Sequence, residues 1–274
     1  MRLSDFFDAL RADPGVFSAS LSQEQVAGIE GILDAMHAVG DGRAKTLAYA
    51  LATAYHETGR RMVPVREGFA STDESAVRAV ASLARKRGPD SAPAKYGQPT
   101  GPHNKAYYGR GHVQLTWREN YARSSDDAGV DLERDPDAML DPVISARILI
   151  RGLIDGRWNG KGCGVGHYLP CDGPDHLKDA RRTVNGTDKW DAIAEYYRAF
   201  LKAIEVAGGW PPAEAEPRAQ APEMPVEVPA PLPRPAAPGA VLAAWLAECP
   251  GDPRIIGEWL SRAPANLSSQ RHAG

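Results

Sequence analysis

Glu57 closes the segment Ala54-Tyr55-His56-Glu57-Thr58-Gly59, and a second carboxylate, Glu67, follows ten residues later in Arg66-Glu67-Gly68. The stretch leading to Glu57 is apolar at Leu47, Leu51 and Ala54, a helical spacing that sends Glu57 to the end of a packed, rigid element. A carboxyl there is partly desolvated, and desolvation favours its protonated form, which suits a general acid working near neutrality. Position alone leaves open the plainer alternative of a solvated helix-end glutamate. Glu67 is reached through the extended stretch Met62-Val63-Pro64-Val65. Two glutamates on a helix end and a following loop can face one another across a groove, the arrangement that hydrolysis of a glycosidic bond uses. Asp73 and Glu74 compete for the second role, although Ser71-Thr72-Asp73-Glu74 reads better as a helix start with both acids favoured by the helix dipole. A zinc helix is excluded at His56-Glu57, because that pattern needs a second histidine where Arg60 stands.

A more specific segment is Tyr107-Tyr108-Gly109-Arg110-Gly111-His112-Val113-Gln114-Leu115-Thr116-Trp117, followed by Asn120-Tyr121. Two glycines bracket an arginine, and the neutral hydrogen-bonding side chains of Gln114, Thr116 and Asn120 lie among aromatics. Such mixtures bind sugars, since flat rings take the apolar faces while amides and hydroxyls take the hydroxyl and N-acetyl groups. Any single aromatic here is equally at home in a core. Cys163, His167 and Cys171 are spaced as three possible metal ligands, with Asp172 or His176 as a fourth. That spacing is unlike the usual pairs of zinc-binding cysteines, so they read as ordinary thiols and an ordinary imidazole, and no metal is expected. Arg85-Lys86-Arg87 reads as a solvated helix end that could also attract an anionic polymer.

The elements that must hold these residues are mostly helices. Helical periodicity runs through 3–10, 21–40, 43–57, 73–87, 141–156 and 188–204, and Ser22 with Gln25 forms a capping box at the start of the second. β-branched alternation is nearly absent. Two Gly-rich connections, 96–112 and 158–175, are long for mere connections and read as site material. After Gly208-Gly209-Trp210 the composition changes: ten of the 28 residues from Pro211 to Pro238 are proline, which makes this stretch an extended, semi-rigid linker. Beyond it, 239–274 carries helical spacing in Val241, Leu242, Trp245 and Leu246 and again in Ile255, Ile256, Trp259 and Leu260. This is a short helical tail, too small for a core of its own. The expected organisation is a catalytic domain over 1–210, a linker over 211–238 and a tail over 239–274.

With 43% hydrophobic and 24% charged residues among 274, the chain has the balance of a globular protein. Its 32 basic and 35 acidic residues give a net charge of -3, so no bulk positive field points to nucleic acid or an anionic membrane. The start of the sequence carries Asp5, Asp8 and Asp13 where a secretory signal needs an apolar run, and no stretch is apolar enough to span a bilayer. Three cysteines are too few for a disulfide framework and fit a reducing compartment. The expected setting is synthesis in a bacterial cytoplasm, action on the cell wall after release, no membrane insertion, and a monomer.

His56-Glu57-Thr58-Gly59, Arg66-Glu67, the segment from Tyr107 to Tyr121 and Ala180-Arg181-Arg182-Thr183-Val184-Asn185-Gly186-Thr187 occur in an order that resembles glycoside hydrolase family 19, especially its phage endolysin branch. The resemblance spans roughly residues 20 to 205. It implies a mainly α, lysozyme-like, two-lobed helical domain with a central groove and no organic cofactor. It makes Glu57 the general acid and Glu67 the base that activates water, with Thr116 helping to hold that water and inversion at the anomeric carbon. His56, Tyr108, Arg110, Gln114, Asn120 and Asn185 become substrate-binding positions, Tyr108 and Arg110 as groove-wall and charge-network residues. The longer, disulfide-bearing loop usual in the family's chitinases is missing. The expected partner is therefore the peptidoglycan glycan strand, with a chitin oligosaccharide as the alternative and an inactive, lectin-like sugar binder as the alternative from another class.

Overall fold

The structure, a computed structural model, describes residues 1–17 and 20–210; the expected linker and tail lie outside the described residues. Among the described residues ten α-helices follow one another: α1 Leu3–Ala12, α2 Gln23–Val39, α3 Ala44–Glu57, α4 Asp73–Arg87, α5 Ala92–Tyr96, α6 Arg118–Ala128, α7 Pro142–Asp155, α8 Val165–Tyr168, α9 Leu177–Ala180 and α10 Trp190–Val206. Three 3-10 turns, Glu67–Phe69, Pro136–Leu140 and Arg181–Thr183, connect them. The described strands are β1 Val65–Arg66 and β2 Arg110–Gly111, paired antiparallel with Val65 opposite Gly111 and Arg66 opposite Arg110. The domain is mainly α, and none of its described helices is long and apolar enough to cross a membrane.

Local chemistry explains where the main helices begin and end. Ser22 and Gln25 form the expected reciprocal cap on α2. The side chain of Asp141 accepts from the backbone N–H groups of Val143 and Ile144, Pro142 occupies the first turn where no N–H is needed, and Gly156 ends α7 in the left-handed conformation. On α4 the cap is Thr72, paired reciprocally with Ser75. That leaves the carboxylate of Asp73 free to act elsewhere. Helix α6 departs from the sequence reading: Arg118–Ala128 is polar throughout and buries only Tyr121 and Ser124, so it lacks the apolar stripe by which a helix is read from sequence.

Two apolar clusters form. In the larger, α3 is buried continuously from Thr46 to Tyr55, with α10 along it, α1 against α10, and α7 against both α2 and α3. Fully burying side chains such as Leu47, Leu51, Ile148 and Phe200 stabilises the fold by roughly 1.5–3 kcal/mol each. The smaller cluster gathers Ala76, Val80 and Tyr108, with Val77, Tyr96 and Ala106 against them. Its scale follows from its sources, one face of α4 and short pieces of loop.

A charge network ties the smaller cluster to the strands. Arg110, 2% exposed, donates through Nε to Asp137 Oδ1 at 2.7 Å and through Nη2 to Asp73 Oδ1 at 3.0 Å. Its guanidinium carbon also sits 3.6 Å from the centre of the Tyr108 ring. Asp137 takes a second cation, Arg66 Nη2 at 2.6 Å, so one carboxylate clamps facing residues of β1 and β2. Burial works against the Asp137 carboxylate, but hydrogen bonds and charge from Arg66 and Arg110 hold it below the usual carboxylate range. Removing a partner from such a buried cation costs about 3–5 kcal/mol.

Candidate active site

Glu57 is the last residue of α3, delivered to the edge of the larger cluster by the most deeply packed helix of the domain. Its side chain, 16% exposed, meets a cation: Arg181 Nη2 stands 2.8 Å from Glu57 Oε1. Arg181 is itself 3% exposed and is held from its other side by its Nε–H, which donates to the Asp188 carbonyl at 3.1 Å. The ion pair joins the end of α3 to the turn Arg181–Thr183.

Glu67 follows β1 and begins a 3-10 turn. Its backbone N–H donates to the Gly109 carbonyl at 2.7 Å, and its Oε2 accepts from the Gly109 N–H at 2.8 Å. The Tyr96 hydroxyl donates to Oε1 at 2.7 Å. Burial first, then the neighbouring Glu67 carboxylate, pushes Tyr96 far above its usual range, so its proton stays in place as a donor. Tyr96 is in turn held edge-on by Trp117, ring centres 5.6 Å apart. Two neutral donors thus fix Glu67, and a carboxylate with about four acceptor positions retains room for a water.

The two glycines around Arg110 have separate reasons. A Cβ on Gly109 would lie 2.8 Å from Gln114 Oε1 and 3.3 Å from Glu67 Oε2, so a side chain there would collide with the site itself. Gly111 has φ +86, and a Cβ would meet Ser145 Oγ at 2.7 Å and Met139 Cε at 2.8 Å. Just beyond, Gln114 and Trp117 take φ values of 51 and 73, left-handed conformations that cost energy in residues with a side chain. Gln114 Nε2 anchors this turn by donating to the carbonyls of Val65 and Gly111 at 2.9 and 3.1 Å.

His112 locks the same turn from behind. Its Nε2–H donates to the Met62 carbonyl at 3.0 Å, and Nδ1 accepts from the Ser145 hydroxyl at 2.9 Å. Ser145 Oγ simultaneously accepts the His112 backbone N–H at 2.8 Å. Burial, only partly opposed by these hydrogen bonds, pulls the imidazole down to about 4. It is therefore a neutral structural group in a fixed tautomer.

Between the two clusters lies a cavity of about 640 Å³ lined by Glu57, Glu67, Gln114, Thr116, Asn120 and Asn185 together with Tyr96, Trp117, Trp158, Asn159, Arg87 and Arg182. Six of the nine site residues named from sequence therefore share one groove. The other three lie elsewhere. Tyr108 has no exposed surface and donates its hydroxyl to Asp73 Oδ1 at 2.6 Å, so it is a core residue rather than a groove wall. Arg110 occupies the charge network beneath the strands, facing a separate cavity with Asp73 and Asp137. His56 is outside the lining, near the Tyr196 ring at 6.4 Å between centres, and burial, its largest influence, lowers its pKa. Asp73, the competing carboxylate, is consumed by Tyr108 and Arg110, and neither it nor Glu74 lines the groove. Cys163, His167 and Cys171 do not gather, and among the described residues no group of three or more His, Cys, Asp or Glu side chains is placed to hold a metal ion.

Sequence reasoning missed the Arg181 pairing, although Arg181 stands in a quoted motif, because nothing local says which of two adjacent arginines turns inward. It also missed Tyr96, which opens the first Gly-rich connection, and Trp158, which opens the second.

With that geometry in hand, a comparison with family models matches residues 30–157 to chitinase class I, glycoside hydrolase family 19. Over these residues the chain is similar to family 19 glycoside hydrolases. Among solved structures, the chain is similar to chitinase C from Streptomyces griseus HUT6037, at 21% identity and TM-score 0.44, covering 75% of this chain and 76% of that one. A bacterial family 19 chitinase gives 21% identity and TM-score 0.40, with 75% and 94% covered. No curated protein sequence matches the chain at a significant level.

Proposed function

We propose that this glycoside hydrolase is an endolysin-type enzyme that cleaves β-1,4 linkages in peptidoglycan glycan strands, with inversion, after release to the cell wall. The observation that carries the reading is the placement of Glu57 and Glu67 on one groove, each carboxyl held in place by fixed partners. Glu57 gives its proton to the glycosidic oxygen as the C–O bond breaks. Glu67 takes a proton from a water that attacks the anomeric carbon from the opposite face, and Thr116 offers a hydroxyl to that water. Trp117, Trp158 and Tyr96 supply flat apolar surface for sugar faces, while Gln114, Asn120, Asn159 and Asn185 supply amides. Arg87 and Arg182 add two guanidinium groups to the lining. Peptidoglycan, which carries carboxylates on its lactyl and peptide parts, can pair with them by charge, whereas neutral chitin offers them only hydroxyl and acetamido oxygens.

The second reading is chitin hydrolysis, favoured by the chitinase class I description of the matched family. Release of reducing sugar from purified bacterial walls and from colloidal chitin, measured side by side with the full chain, separates the two. Faster release from walls supports the first reading, and release from chitin alone replaces it with the second.

A further inference from the structure

Behind Glu57, helix α3 carries buried polar groups that the mechanism above does not use. Tyr49, Thr53 and Glu57 succeed one another at four-residue intervals and so share one face of the helix. Tyr49 is 1% and Thr53 0% exposed. The hydroxyls of both, together with Arg181 Nη1, are fully enclosed and have no hydrogen-bond partner among the described residues. The remaining nitrogens of Arg181 are engaged, Nη2 with Glu57 and Nε with the Asp188 carbonyl. The Tyr49 hydroxyl lies within the electrostatic reach of both Arg181 and Glu57, and burial above all pushes it upward, so it remains a neutral donor and acceptor.

We propose that Tyr49, Thr53 and Arg181 enclose a buried water site behind Glu57, and that this hydrated pocket positions the acid by fixing the guanidinium that grips it. Enclosed polar atoms left unpaired are strongly disfavoured, and a buried water makes about three hydrogen bonds to such groups. Donor and acceptor types match the assignment. Arg181 Nη1 can only donate, whereas each hydroxyl can donate or accept, so a bound water accepts from Arg181 and satisfies both hydroxyls. Tyr49 and Thr53 are then positioning residues, acting through Arg181 rather than on the sugar. The inference rests on the reading of Glu57 as the general acid.

The test uses Tyr49→Phe, Thr53→Val and the double variant in the full chain, each near-isosteric so that packing is kept. Thermal unfolding and steady-state hydrolysis of wall fragments are measured for all three, with Glu57→Gln as the control. Expected are a lower Tm for each single variant and a kcat about tenfold lower with KM unchanged, as loss of a hydrogen bond felt at the transition state implies. The double variant should be no worse than the more impaired single one, because both hydroxyls serve the same water. A higher Tm on losing either hydroxyl overturns the water site, since it means the hydroxyls had been unpaired. A lower Tm with kcat untouched overturns the positioning role. If Glu57→Gln keeps wild-type turnover, it is the acid assignment that fails, and the Tm results still decide the water site.

Discussion

Glu57 and Glu67 are the same side chain in two surroundings. The first sits at the end of the most buried helix of the larger cluster and is gripped by a guanidinium. The second sits on a 3-10 turn after a two-residue strand, held by a phenol and a backbone amide. A cation fixes where a carboxyl points with a strong, charge-assisted bond, and losing that carboxyl leaves a buried charge unpaired. Neutral donors fix it more weakly and leave nothing charged behind. The two surroundings thus differ in how firmly each carboxyl is held and in what is left behind when it is lost.

The sharpest break in this comparison is Glu57→Gln. Hydrolysis of cell walls should fall by about 10²–10⁴-fold, the range for loss of a general acid. The variant should also melt well below the wild type, because Arg181 loses its counter-charge while buried. Near wild-type turnover would remove Glu57 from the mechanism. Glu67→Gln should lose a comparable factor in kcat while still binding wall fragments, yet keep almost all of its stability, since the Gly109 N–H can donate to the amide oxygen while the Tyr96 hydroxyl turns to accept from the amide NH2. Equal loss of Tm in the two variants would erase the electrostatic distinction. For the wild type, NMR of the first-formed reducing sugar should show the α-anomer from a β-linked substrate, and an initial β-anomer rejects direct attack by a water activated at Glu67.

The scaffold behind Glu67 has its own signature in pH. His112 is held at about 4 when folded and returns to about 6.5 when unfolded. Between those values the unfolded chain binds the extra proton, so stability falls as pH drops from about 6.5 towards 4, by about 3 kcal/mol in all. Above 6.5 this contribution is fully present and flat. Urea unfolding at a series of pH values checks it, and His112→Asn should flatten that part of the curve. Tyr96→Phe is a milder intervention, removing one of two donors to Glu67, and should lower kcat by about tenfold while leaving the acid side untouched. The smallest effect is expected from truncation after residue 210, which should leave hydrolysis of soluble wall fragments within about twofold if the chemistry lies wholly before the proline tract.

The long helices were legible because each joins an apolar stripe to a recognisable start. For α2 that start is the Ser22 and Gln25 cap, and for α4 the acidic first turn. Glu57 was legible as the end of such a stripe. Helix α6 was not, because Arg118–Ala128 is a polar element whose large buried side chain is Tyr121, where that hydroxyl donates to the Tyr108 carbonyl and accepts from Arg110. Tyr108 and Arg110 show the limit most plainly. The sequence places them in a segment with the right chemistry for a sugar groove, but which way each residue faces is decided by partners far along the chain, Asp73 and Asp137. Arg181 illustrates the converse, an arginine whose role appears only when α3 and the turn after α9 are brought together.

The pinning of Asp73 also has a mechanical side. Helix α4 has 15 residues and is therefore about 22 Å long. Its first residue is tethered through Tyr108 and Arg110 to the strand region, while Leu83 and Arg87, near its other end, line the groove. Between those ends the helix is packed through Ala76 and Val80, so its two ends are joined by one rigid rod. Replacing Asp73, which does not line the groove, would loosen the near end of that rod. The groove wall at Leu83 and Arg87 is thus tied to an anchor about one helix length away from it.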